Sequence, residues 1–196
     1  MQVMTDNKLV PKLRFLDFEG VWNIKKLRNI SDFFSGGTPT STNKSYYNGD
    51  IPFIKSGEIN NDKTVQFLSE EGFKSSSAKM VNSGDLLYAL YGATSGEVGI
   101  SKINGAINQA ILCIRTEEER GFLCNYLKYN KARIVSKYLQ GGQGNLSADI
   151  IKDLRIAFPT FPEQQKIASF LSAVDDKLQQ LTKKKELLKE YKKGVM

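Results

Sequence analysis

Pro162-Glu163-Gln164-Gln165-Lys166-Ile167-Ala168 opens a tail that shows no further Pro and no Gly until Gly194. Apolar residues follow at Ile167, Leu171, Val174, Leu178, Leu181 and Leu188, with spacings of 4, 3, 4, 3 and 7. That is a heptad seam, the pattern of a helix that packs lengthwise on another helix. Pro162 suits the first turn, and Glu163 places negative charge at the positive end of the helix dipole. Lys183, Lys184, Lys185, Lys189, Lys192 and Lys193 crowd the last turns, where the dipole favours cations. At about 1.5 Å per residue, 163 to 193 spans roughly 45 Å, more than a small domain needs. The tail predicts a rod, and the rest of the chain a globular body attached to it.

The boundary falls near Phe158-Pro159-Thr160-Phe161-Pro162, giving a body over 1–159 and a helical region over 160–196. In the body, Leu9 to Ile30 reads as an extended lead-in and a short strand from Trp22, which is expected to anchor the core or a lid. Ser35-Gly36-Gly37-Thr38-Pro39-Thr40-Ser41 is a loop by composition. It runs through Tyr46-Tyr47-Asn48-Gly49-Asp50 into a short strand, Ile51-Pro52-Phe53-Ile54, and a second polar loop to Asp62. Leu86 to Tyr91 reads as a strand after the turn Ser83-Gly84-Asp85. Gly92 to Ile100 reads as a hairpin or bulge, and Ala106 to Ile114 as a single central strand. Glu117 to Leu139 carries a broken helical stripe of one or two helices. Gln140 to Asn145 is a loop with three glycines and three amides, and a short helix follows, capped by Asn145 or Ser147. Leu154 to Phe158 closes the body as a strand. Strands first, then helix, loop, helix and strand argue for an α+β fold with a mixed sheet and peripheral helices.

The chain carries 196 residues, a net charge of +7, two cysteines and no histidine. The positive excess is shared, +3 from Thr160 onward and +4 before it. A basic balance favours polyanionic partners, nucleic acid first. Cys113 and Cys124 lie in apolar segments without CxxC spacing, so two buried free thiols are expected rather than a disulfide or metal pair. There is no run of about 18 apolar residues and no apolar core of a signal peptide in Met1 to Lys8. A cytoplasmic location is the expectation.

The residues argue against chemistry. Without histidine there are no His-dependent triads, His bases or common zinc sets. The glycines from Gly92 to Gly99 do not form GxGxxG, and Gly141 to Asn145 is not followed by Lys-Ser or Lys-Thr, so neither is a phosphate-binding loop. Asp50, Glu58, Asp62, Glu70, Glu71 and Asp85 are scattered rather than clustered for Mg²⁺. The Asn-Pro-Pro-aromatic loop of an amino-methyltransferase is missing. No catalytic residue and no metal site is predicted. Glu117, Glu118 and Glu119 read as a helix-start dipole effect, and Asp175-Asp176-Lys177 as a solvated face. Amides and aromatics point elsewhere. Gln109, Gln140, Gln143 and Asn145 stand beside glycines or at strand edges, with Tyr88, Tyr91, Tyr46, Tyr47 and Lys55 available. Such side chains can read base edges, stack on bases or touch phosphate.

Ser35-Gly36-Gly37-Thr38-Pro39, Gly49-Asp50-Ile51-Pro52-Phe53-Ile54-Lys55-Ser56-Gly57-Glu58-Ile59, Gly84-Asp85-Leu86-Leu87-Tyr88-Ala89, Asn108-Gln109-Ala110 and Gly141-Gly142-Gln143-Gly144-Asn145-Leu146-Ser147 occur in that order. With Phe158-Pro159-Thr160-Phe161-Pro162-Glu163-Gln164-Gln165-Lys166-Ile167-Ala168 they resemble the specificity (S) subunit of type I restriction-modification systems, over essentially the whole chain. The resemblance implies a non-catalytic subunit with two target recognition domains, each followed by a long helix. The helices pair antiparallel as a spacer, and each domain reads one half of a split DNA target. It also implies docking to methyltransferase subunits that carry S-adenosylmethionine, and through them to ATP- and Mg-dependent restriction subunits. No cofactor is expected in this chain. The sequence departs from that pattern in having one recognition domain and one helix. It resembles half a subunit, either a natural half or a fragment of a longer one.

On this reading four loops, near 36–47, 55–62, 88–97 and 140–147, form a face for double-stranded DNA. Thr38, Thr40, Ser41, Lys44, Tyr46 and Tyr47 belong to the first; Lys55, Ser56 and Glu58 to the second. Tyr88, Tyr91 and Thr94 belong to the third, Gln140, Gln143 and Asn145 to the fourth, and Gln109 stands apart. The seam Ile167, Leu171, Val174, Leu178, Leu181 and Leu188 left open would be an association liability. A homodimer through antiparallel helices is expected, two-fold and closed. If Leu171 and Leu178 are a positions, so are Lys185 and Lys192, which loosens the seam towards its end. A second reading is a scaffold or regulatory half-subunit that pairs with a full-length specificity subunit or with methyltransferase subunits. A small nuclease or methyltransferase is the third.

Overall fold

The computed structural model describes residues 4–5, 8–139 and 146–195. The chain runs through β1 (Met4–Thr5), β2 (Lys8–Leu9), β3 (Trp22–Lys26) and β4 (Ser31–Ser35). Next come β5 (Ile51–Ile54), β6 (Phe67–Leu68), the short helix α1 (Glu70–Lys74) and β7 (Lys79–Val81). They are followed by β8 (Leu86–Ala89), β9 (Val98–Ile100), β10 (Gly105–Ile107) and β11 (Ile111–Thr116). Helices α2 (Arg120–Tyr129), α3 (Lys131–Leu139) and α4 (Ala148–Lys152) lead to β12 (Arg155–Phe158) and the long helix α5 (Phe161–Val195). This is the α+β fold that the element order predicts.

The strands form three sheets, ordered β1-β2-β3-β12, β6-β5-β10-β7 and β4-β11-β8-β9. The first and third are antiparallel throughout, and the second holds one parallel pair, β5 with β10. The third sheet is the centre of the body. All four residues of β8 are buried, as are Ile111 to Ile114 in β11. Side chains alternate across a strand. Leu86, Tyr88, Leu112 and Ile114 therefore join Phe122, Leu123 and Leu127 of α2 in one core. Leu87, Ala89, Ile111 and Cys113 meet Ile54, Val81 and Ile107 of the second sheet in another. A strand covered on both faces reads as a continuous apolar run rather than an alternating one, which is why these two strands stand out in the sequence.

The central strand expected over Ala106 to Ile114 is in fact two strands in two sheets. Asn108 breaks it: its Oδ1 accepts the amide of Ala110 at 3.1 Å, an Asx turn that carries the chain from β10 into β11. The strand expected from Trp22 to Ile30 stops at Lys26 and bends through a 3-10 turn at Leu27–Asn29. Glu117 to Leu139 resolves into two helices, and Ser147 caps α4 by accepting the amide of Ile150. Cys113 and Cys124 are buried, unbonded and in different cores. Burial, aided by the nearby Asp85 carboxylate, pushes the Cys113 thiol up to about 12, and burial raises Cys124 as well. Both are held as neutral thiols. Among the described residues, no helix is long and apolar enough to cross a membrane.

Candidate nucleic-acid interface

The loop after β4 is pressed onto the second sheet. A side chain at Gly36 would collide with the carbonyl oxygen of Ile107, so only glycine fits there. The Gly36 amide donates to the carbonyl of Asn108 at 3.2 Å. This contact carries Thr38 to Gln109, where the threonine hydroxyl donates to Gln109 Oε1 at 2.7 Å. Asn43 caps the following 3-10 turn, Lys44–Tyr47, by accepting from the amide of Ser45. The turn places Tyr47 so that its hydroxyl donates to the carbonyl of Pro39 and its ring tilts against Phe53, 6.5 Å away. Burial raises the Tyr47 phenol above its ordinary value, so it stays protonated.

These contacts build one open groove of about 570 Å³, lined by Thr38, Ser41, Lys44, Tyr47, Phe53, Lys55, Gln66 and Asn108. Its walls carry two lysines, hydroxyls and two amides, and no carboxylate. Five residues expected on a DNA face thus come together, with Gln109 bonded to one of them. Thr40 is exposed beside them. Gln66 and Asn108 line the groove too, beyond the residues the sequence points to. Gln66 sits between exposed Val65 and Phe67 at the start of a two-residue strand, and nothing in that local pattern marks it.

Other expected residues have different jobs. Tyr88 has no exposed surface, its hydroxyl has no hydrogen-bond partner, and burial raises its pKa. It belongs to the core, against the expectation that it stands on a DNA-facing loop. The central position of β8 is the reason. Glu58 accepts the amides of Lys55 at 3.1 Å and Val65 at 3.0 Å and the hydroxyl of Thr64 at 2.9 Å. Its carboxylate holds the Lys55 turn together, so its charge is sequestered next to the groove rather than presented in it. Tyr46 is half-buried, and Gly72 of α1 lies close against it. Ser56 is half-buried in the 3-10 turn Ser56–Glu58. Tyr91 and Thr94 are also half-buried: Tyr91 precedes the next 3-10 turn, Gly92–Thr94, and Thr94 ends it. Thr94 faces Gly57: a side-chain carbon built on that glycine would come 3.9 Å from the threonine methyl, so the two turns are neighbours. Gln140, Gln143 and Asn145 lie outside the described residues.

A larger cavity of about 840 Å³ lies elsewhere and holds none of these residues. It is of mixed charge, and in it Arg115 Nη2 meets Asp85 at 2.7 Å. Burial works to raise the Asp85 carboxyl, but Arg115, the Asn82 amide and Arg120 outweigh it and hold it below its ordinary value.

The base of α5 is clamped from two sides. Glu163 is fully buried and takes Arg14 in a fork, Nε to Oε1 at 2.8 Å and Nη2 to Oε2 at 2.6 Å. The Trp22 indole N–H also donates to it, at 3.3 Å. Gln164 accepts the amide of Glu119 at 3.0 Å and donates to Glu118 at 2.7 Å and to the carbonyl of Pro159 at 3.0 Å. Glu163 is therefore an ion-pair partner as well as a dipole partner. Glu118 serves the helix junction with its carboxylate and Glu119 with its amide, while the Glu119 carboxylate caps the start of α2 by accepting the Phe122 amide. The lead-in crosses the same base, with Phe15 edge-on to Phe170 at 5.6 Å. Ile167 and Ala168 pack on the body. Beyond Leu171 every described residue of the helix is exposed. The seam expected from Ile167 therefore starts on the body and leaves it: Phe170, Val174, Leu178, Leu181 and Leu188 remain open. Ile167, Val174, Leu181, Leu188 and Val195 recur every seven residues, carrying the line to the end of the helix.

The family model for the type I restriction modification DNA specificity domain matches residues 19–190. The chain is similar to the type I restriction enzyme MjaIX specificity subunit of Methanocaldococcus jannaschii, 30% identical over 181 residues, 86% of this chain and 41% of that protein. It is also similar to the HindI specificity subunit of Haemophilus influenzae, 28% identical over 150 residues, 71% of this chain and 32% of that protein. The HsdS subunit from Thermoanaerobacter tengcongensis has the same fold, with a TM-score of 0.65 at 19% identity, over 91% of this chain and 42% of that one. The S subunit from M. genitalium gives 0.62 at 17%, over 83% and 41%. The chain thus spans well under half the length of the relatives it matches.

Proposed function

Because the chain belongs to the family of type I restriction modification DNA specificity domains, we propose that its body, 1–159, reads one half of a split DNA target and that 160–196 is the spacer. The observation that carries this is the carboxylate-free groove of Lys44, Lys55, Thr38, Ser41, Tyr47, Gln66 and Asn108. Lysines supply the salt-dependent phosphate attraction, and amides and hydroxyls the base-edge contacts. The chain contributes recognition and no catalysis. Methyl transfer with S-adenosylmethionine, and ATP- and Mg-dependent restriction, belong to methyltransferase and restriction subunits that dock on it in the cytoplasm.

The exposed stripe of α5 is proposed to pair antiparallel with α5 of a second copy, giving a two-fold dimer. An apolar line of this length left in water favours association, and a two-fold pair buries the same surface on both copies. Sedimentation at micromolar concentration tests the pairing: a dimer is expected, and a stable monomer refutes it. Retention of duplex DNA by the chain bound to its methyltransferase subunit tests the reading itself. Loss of retention in Lys44→Ala/Lys55→Ala is expected.

The exposed stripe also supports a second reading, a scaffold or regulatory half-subunit. It would seat α5 on a full-length specificity subunit or on methyltransferase subunits. Co-purification with those subunits and no DNA retention at moderate salt would favour it.

A further inference from the structure

The corner between α2 and α3 lies outside the reading loops, and its charge is one-sided. Residues 120–139 carry Arg120, Lys128, Lys131, Arg133 and Lys137 and no Asp or Glu. A solvated helical face ordinarily interleaves both signs. Lys128 and Tyr129 close α2 and are both exposed, Tyr129 at 90%. On α3, Ile134 is buried and Val135 half-buried against the core, which turns Ala132, Arg133, Ser136 and Lys137 to solvent. Lys131 sits on the inner side and pairs with Glu97. That pair occupies the Glu97 carboxylate. An aromatic ring this exposed adds nothing to the core, so packing does not explain Tyr129.

The corner is joined to the recognition loops by contact. Gly96, at a φ of +85°, lies against Val135 and Lys131, and a side chain there would collide with Val135. Two residues earlier, Thr94 faces Gly57 of the Lys55 turn, where an added side-chain carbon would lie 3.9 Å from the threonine methyl. The α2–α3 corner therefore touches the Gly92–Thr94 turn region through Gly96 and Glu97, and that turn neighbours the Lys55 turn of the basic groove.

We infer that the α2–α3 corner is a phosphate-contacting arm of the nucleic-acid face. Lys128 and Arg133 meet the duplex backbone beside the bases that the loops read, and Tyr129 packs on the sugar edge. This rests on the reading of the body as a DNA reader and adds a contact of a different kind. Phosphate contacts fix position and carry no sequence information, so the arm sets affinity and register for every sequence alike.

Duplex binding by the full chain, with its methyltransferase subunit, measured across a salt series tests the arm. Each phosphate contact contributes about 0.9 to the slope of log affinity against log salt. Lys128→Ser/Arg133→Ser should lower that slope by about 2, weaken all duplexes alike and leave the ranking of target sequences unchanged. Both positions are exposed, and an unchanged unfolding midpoint checks that the fold is intact. Tyr129→Ser should weaken binding at every salt concentration with the slope unchanged. A double variant with the wild-type slope overturns the inference. So does one that loses its methyltransferase subunit while duplex binding by the chain alone is intact, because the corner would then be a protein-docking surface. Wild-type protein that retains no duplex at any salt defeats the DNA reading and the arm with it, and the wild-type control separates that failure from the other two.

Discussion

Tyr88 looks like a base-stacking residue in the sequence, next to Gly-rich turns and a second tyrosine. In the fold it fills the core with Leu86, Leu112 and Phe122, its hydroxyl buried and unpaired. An unsatisfied buried hydroxyl costs about 1–3 kcal/mol. Tyr88→Phe should therefore stabilise the protein, by about 1 kcal/mol in a denaturant titration, and leave DNA retention unchanged. Loss of DNA binding at wild-type stability would return Tyr88 to the interface. Glu163 shows the opposite error, a residue with more work than its sequence context suggests. The helix-start position was legible; the partner, Arg14, was not, because 149 residues separate them and no local pattern links them. Glu163→Ala leaves a largely buried guanidinium without its carboxylate, and breaking such a pair costs about 3–5 kcal/mol. Chemical denaturation should show a loss of about 3 kcal/mol. A change under 1 kcal/mol would mean that the clamp does not hold the helix.

Among the elements, α5, β5, β8, α2 and α3 were legible because each carries its own periodicity or an uninterrupted apolar run. β10 and β11 merged in the sequence because Ala106 to Ile114 is apolar on both sides of Asn108. What divides it is one side-chain hydrogen bond and the change of sheet, and both depend on tertiary contact. The two-residue strands are set by their partners and leave almost no trace in sequence. In α5 the heptad was legible, but its starting point was not, since Ile167 is used by the body. The open portion is tested by Leu178→Glu/Leu181→Glu. The two leucines are 57% and 52% exposed in the single chain, so the body should melt unchanged. Sedimentation should shift from dimer to monomer, and a dimer that survives both charges would place the interface elsewhere.

For the whole molecule, the clamp and the rod make one device. The fork from Arg14 to Glu163 and the bonds from Gln164 to Glu118 and Glu119 fix the angle at which α5 leaves the body. The helix has 35 residues, about 52 Å at 1.5 Å per residue. Two copies paired antiparallel would hold two reading faces at a set distance and in inverted orientation. Half-site spacing would then be a geometric consequence of the rod, as it is of dimer geometry in two-fold DNA readers.

Selection from random duplexes, with the chain bound to its methyltransferase subunit, tests this account most directly. The enriched sequences should contain one short half-site repeated in inverted orientation, at a constant spacing. Enrichment of a single unrepeated half-site would contradict the paired rod, and no enrichment at all would contradict the reader.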